Sequence, residues 1–178
     1  MKRLAVAVIL MVLGLTRVSL GLPPFPAPPI VAEVTTVIDG DTIRVVLTTV
    51  PESLADRLPV GSEETVRYIG VQAPELAEPH GPEAASLNRL LVEGRTVYLE
   101  TDELLRNSDA GGLDVRLLAY VYLDPAGLFM VNLALIATAI IGTKTYEGTA
   151  RYSALFEEAD SLTNADAPRT CADCLVAL

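Results

Sequence analysis

The sequence predicts an α+β domain, mainly β, in which five short strands close a small barrel and three helices pack on its outside. Three observations carry that expectation. Short runs that alternate or are rich in β-branched residues lie at 34–38, 42–48, 65–71, 95–100 and 117–123. One helical pattern falls before the fourth run and two fall after the fifth. Finally, 178 residues at 51% hydrophobic composition suffice for one core with tails left over.

At the N-terminus, Lys2 and Arg3 precede an apolar run, 4–15, that is too short to span a bilayer and is followed by Arg17. Ser19 and Gly21 supply small residues at the spacing a signal peptidase reads. Residues 1–21 are therefore expected to be a secretory signal peptide, which places the mature protein outside the cell or in a periplasm. An uncleaved membrane anchor is the alternative. LPPFPAPP, within 22–30, reads as a stiff extended linker. The domain is expected over 31–164, with 165–178 as a tail.

VIDGDTIRVV joins the first two strands through Asp39-Gly40-Asp41-Thr42. Asp-Gly between alternating hydrophobics signals a hairpin, because both residues tolerate positive φ. That leaves Asp41 unexplained, since a strand has little use for aspartate where it begins. Either it faces water or it is aimed at something positive. Two loops are expected, at 49–64 and 103–114. The helix in GPEAASLNRLLVEG starts with Pro82 and Glu83, buries Ala84, Leu87 and Leu91, and stops at Gly94. MVNLALIATAIIG, 130–142, is apolar all round, as a buried helix would be, and too short to cross a membrane. A last helix near 150–164 carries Tyr152, Leu155, Phe156, Ala159 and Leu162 on one stripe. Five strands with this helix placement fit the barrel known as the OB-fold, whose open face commonly binds oligonucleotides.

Charge narrows the function. The net charge is −10, and loss of Lys2, Arg3 and Arg17 leaves 10 basic against 23 acidic residues, about −13. So acidic a chain does not coat itself with nucleic acid, and any polyanion must be held by a few local arginines or a metal. Cys171 and Cys174 lack the partners of a zinc site, as His80 is the single histidine, and a local disulfide is expected. His80 itself reads as a loop residue beside a helix start.

The chemistry-bearing residues follow the third strand. In VRYIGVQAPE, Arg67 sits inside an apolar strand, where burial requires an anionic partner. Ala73-Pro74 then turns the chain and Glu75 follows. In VRLLAYVYLD, Arg116 stands just ahead of the fifth strand. The order strand, DGDT, strand, R-x-x-G-x-x-A-P-E, GPEA, R-L-L-A-Y-V-Y and MVN resembles the staphylococcal nuclease (thermonuclease) family from about residue 34 to 156.

That resemblance implies a staphylococcal-nuclease-like OB barrel and an endonuclease that hydrolyses phosphodiester bonds of DNA or RNA, with single strands the expected substrate and a monomer the expected state. It implies calcium held by Asp41, by the residue at Gln72 and by the backbone carbonyl of Ala73. Arg67 and Arg116 fall on the phosphate-binding arginines, and Glu75 on the general base. Tyr146 lies near the segment where the family stacks a tyrosine on bases. Two departures matter. Gln72 stands where the family has a second aspartate, so one charge is lost beside the cation and affinity is expected to drop toward millimolar. Val115 replaces a glycine before Arg116. A catalytically silent OB-type binding module and an extracellular interaction domain remain as other readings.

Overall fold

The expected hairpin forms at Asp39-Gly40, but neither residue takes a positive φ; glycine is needed at 40 for close approach rather than for turn geometry. In the computed structural model, which describes residues 25, 28–102, 106–108, 115–144 and 151–164, β1 (Ile30–Val37) and β2 (Thr42–Thr49) pair antiparallel across this turn. The expected signal peptide, Tyr146, Cys171 and Cys174 lie outside the described residues. β3 (Glu63–Tyr68) pairs with β2, setting Arg67 opposite Thr42. β5 (Thr96–Glu100) pairs with the first half of β1, and β7 (Val115–Tyr122) pairs antiparallel with β5. β7 also lies parallel to β3, with Leu118 beside Arg67. This closes the ring β1-β2-β3-β7-β5, a five-stranded mixed barrel. The α+β, mainly β, OB-like fold expected from the sequence is therefore present.

Two smaller pairings sit outside the ring. β6 (Arg106–Ser108) adds to the edge of β7, and β4 (Val71–Gln72) pairs with β8 (Gly142–Thr143). Three helices pack around the barrel: α1 (Gly81–Val92), α2 (Val131–Ile136) and α3 (Ser153–Asn164). None of the helices among the described residues is long and apolar enough to cross a membrane. Val45, Leu47, Val66, Val97, Leu117 and Val121 are fully buried in the core, and Leu58 from the 49–64 loop joins them.

Several expectations are corrected. β1 begins at Ile30, four residues early, because its start is sandwiched between β2 and β5. Glu63 and Glu64 belong to β3 rather than the preceding loop, and the 103–114 loop contains β6. The third strand is interrupted at Gly70, whose φ of +77° turns the chain out of β3. A Cβ there would lie 2.3 Å from two ring carbons of Phe156, so glycine also lets α3 approach. The helix expected over 130–142 ends at Ile136, since Ala139 takes φ +63° and Gly142 and Thr143 pair with β4. On α1 the buried stripe is Gly81, Ala84, Ala85, Asn88 and Val92, with Leu87 and Leu91 only partly covered. Leu162, placed on the inner stripe of α3, is 68% exposed.

Candidate active site

Asp41 is aimed at something positive. Its side chain is fully buried, one carboxylate oxygen is paired with Arg67 Nη1, and the other accepts the Ala73 N–H at 2.6 Å. Thr42 Oγ1 adds a hydrogen bond at 3.2 Å. The turn that presents it is tied down from three sides. Asp41 N–H donates to Asp39 Oδ1 at 2.9 Å, Tyr68 N–H donates to the Asp41 carbonyl at 2.9 Å, and Asn88 Nδ2 donates to the Asp39 carbonyl at 2.9 Å. A Cβ on Gly40 would stand 2.5 Å from Ala73 Cβ and 2.8 Å from Ala84 Cβ, so the turn is wedged between the β4 exit and α1.

Arg67 is 6% exposed and bridges the site. Besides Asp41, it donates from Nη1 to Thr42 Oγ1 at 3.4 Å and from Nη2 to the Val71 carbonyl at 3.4 Å and Gln72 Oε1 at 3.3 Å. Gln72 Nε2 in turn donates to the Ala73 carbonyl at 3.3 Å. Arg67 and Arg116 share a face of the β3–β7 pair, because Arg116 lies two positions before Leu118, the register partner of Arg67. Among the described residues, Arg116 Nε is a buried side-chain nitrogen with no hydrogen-bond partner. Both guanidiniums act on Asp39. Burial pushes its carboxyl above the ordinary 3.8, while a Thr42 hydrogen bond, Arg67 and Arg116 pull it back.

The sequence-predicted residues therefore meet in part. Asp41, Arg67, Gln72 and Ala73 are in direct contact, and Arg116 lies on the same face of the β3–β7 pair. Glu75 follows on the loop anchored by Ala73 N–H. Its backbone N–H donates to Glu78 Oε2 at 2.8 Å, while its exposed carboxylate makes no hydrogen bond or ion pair among the described residues. His80 is exposed, at φ +67° just before α1.

Sequence reading missed Asn88. It is fully buried, accepts from Tyr68 OH at 2.9 Å and holds the Asp39 carbonyl, which couples α1 and β3 to the turn. The available signal was an amide on the stripe of Ala84, Ala85 and Val92, where an apolar residue would be ordinary. Burial raises the Tyr68 phenol well above the usual 10.

A carboxylate, an amide oxygen and a carbonyl oxygen are the donor types a hard dication takes, so Asp41, Gln72 and Ala73 fit calcium by chemistry. Their charge is low for it: among the described residues no group of three His, Cys, Asp or Glu is arranged to hold a metal ion.

The barrel, the tied-down acidic turn and two arginines on one face of the β3–β7 pair define an OB-like domain with a charged cluster at that turn. No protein-family model matches the chain. Residues of the chain are 37% identical over 93 positions to Endonuclease YncB of Bacillus subtilis (strain 168), a match spanning 49% of this chain and 36% of that protein. The chain thus spans about a third of the length of that curated relative.

Proposed function

We propose that this domain is a secreted nuclease that hydrolyses phosphodiester bonds of DNA or RNA, acting as a monomer on single strands. The observation that carries the reading is the pair Arg67 and Arg116 on one face of the barrel, with Arg116 Nε buried and, among the described residues, without a hydrogen-bond partner. A buried guanidinium nitrogen without a protein acceptor is a donor that a phosphate oxygen can take up. The likeness to a protein named as an endonuclease supports the same class.

Phosphodiester hydrolysis is slow because a water-derived nucleophile approaches an anion while charge builds on the phosphorus oxygens. Arg67 and Arg116 would bind two of those oxygens and hold the five-coordinate transition state more tightly than the ground state. Glu75, exposed on the adjoining loop, would accept the proton of the attacking water. Calcium, when bound by Asp41, Gln72 and the Ala73 carbonyl, would supply charge neutralisation at the phosphate. Gln72 keeps the oxygen and lacks the charge, which makes that binding weak.

The decisive measurement is cleavage of denatured DNA and of RNA by purified protein, with millimolar calcium and with chelator. Glu75→Gln should lower turnover by roughly 10²–10⁴ while leaving the melting temperature unchanged. No cleavage by the wild type under any of these conditions would favour the second reading, a silent single-strand binding module, for which the internal pairing of Asp41 with Arg67 speaks.

A further inference from the structure

Apart from the exposed, solvated carboxylate of Glu75, the charges around the turn sum to zero. Asp39 and Asp41 supply two carboxylates, Arg67 and Arg116 supply two guanidiniums, and Gln72 adds none. Each proposed cation ligand is also already engaged. Asp41 is fully buried with one oxygen on Arg67 and the other on the Ala73 N–H, Gln72 Oε1 accepts from Arg67, and the Ala73 carbonyl accepts from Gln72. In this state the resident cation of the turn is the Arg67 guanidinium. A dication arriving alone finds these oxygens engaged and must displace that guanidinium.

A phosphate changes both conditions. It brings at least one negative charge to a neutral cluster, and it competes for the guanidinium. The Nη2 contacts of Arg67, at 3.3 and 3.4 Å, are long for hydrogen bonds from a charged donor and are readily exchanged for phosphate oxygens. Arg116 Nε is available as a second donor.

We propose that this chain has no standing cation site: a divalent cation binds only after a phosphate has taken the Arg67 guanidinium, and Gln72 is the residue that makes this so. The inference rests on the phosphate-site reading above. Coupling of this kind is reciprocal, so calcium tightens phosphate binding by the same factor. An aspartate at position 72 would give the empty cluster a net negative charge and hence a site that needs no phosphate.

Calorimetric titration of the full chain tests this without turnover, using calcium chloride with and without saturating deoxythymidine 5′-monophosphate, which has no phosphodiester to cleave. The wild type should show no saturable calcium binding below about 10 mM alone, and at least about tenfold tighter binding with the nucleotide. Gln72→Asp, checked for folding by its melting curve, should bind calcium alone at least about tenfold more tightly than the wild type. Wild-type affinity for calcium that is equal with and without bound nucleotide overturns the inference and leaves the phosphate site intact. Failure of the nucleotide to bind at all, even with calcium present, overturns both. A folded Gln72→Asp that binds calcium alone no more tightly than the wild type overturns the part assigned to Gln72; should it not fold, Gln72→Glu takes its place.

Discussion

Asp41 and Arg67 neutralise each other away from water, and this sets what each substitution at the site does. Arg67→Ala leaves a fully buried carboxylate without its counter-charge, a loss that typically costs about 3–5 kcal/mol. Arg116 is only partly buried and its Nε has no partner among the described residues, so Arg116→Ala should cost under about 1 kcal/mol while weakening nucleotide binding. Urea denaturation of the two variants separates them, and equal losses would contradict the assigned pairing. Asp39 makes a further prediction through pH. Its folded-state pKa lies above the ordinary 3.8, so the folded state holds the proton more tightly. The group's contribution to stability is then greatest below that value and declines as pH rises through the folded-state pKa. Asp39→Asn should melt no lower than the wild type at pH 7, and its advantage should shrink on acidification.

Among the elements, two buried asparagines splice structure that backbone ladders leave open. Asn132, on α2, accepts the Val121 N–H at 2.8 Å and donates to the Ile69 carbonyl at 2.8 Å. It thereby fastens β7 to the chain leaving β3, where these two strands pair in parallel. Asn88 does the same for α1, β3 and the acidic turn. Asn132→Ala strands a buried donor and a buried acceptor and should cost at least about 2 kcal/mol. Its signature is faster hydrogen exchange at Val121 with little change at the β1–β2 hairpin. Loss of protection spread evenly over the barrel would count against this local role.

For the molecule as a whole, α3 is held to the barrel by a buried carboxylate. Glu100 is 3% exposed and accepts from Tyr122 OH at 3.0 Å and from Tyr152 OH at 3.0 Å on each oxygen, with Arg151 Nε at 3.4 Å. The rings of Tyr120 and Tyr152 meet edge to face at 4.6 Å beside Phe156. Tyr152→Phe removes a hydrogen bond to a charged acceptor and should cost about 1.5–3 kcal/mol. The loss should be seen as faster exchange in α3 ahead of the barrel. The overall charge makes a separate prediction. Under the proposed phosphate contacts of two arginines on an acidic protein, log affinity for a single strand should fall with log salt at a slope of about −1.4, and a slope several times steeper would require a basic surface.

Much of this was legible in the sequence because it is local. The Asp39-Gly40 hairpin, the start of α1 at Pro82, the stop at Gly94 and the five barrel strands are written in turn chemistry and period-two patterning. Strand and helix ends were less so. α2 stops at Ile136 because residues 142 and 143 are recruited by β4, some seventy positions away in the chain. The candidate residues Asp41, Arg67, Gln72 and Arg116 were visible as charged or polar residues in places that local structure gives no reason for. Asn88 passed unnoticed because an amide on a helix is unremarkable until its neighbours are known. What the sequence determined by itself was the class of fold and which side chains were out of place. Only the tertiary structure decided that Asp41 meets Arg67 and the Ala73 amide, so that its charge is answered from within the protein. The physical reason is that hydrophobic period and turn preference act over a few residues, whereas a buried charge takes its partner from whichever strand the closed barrel brings beside it.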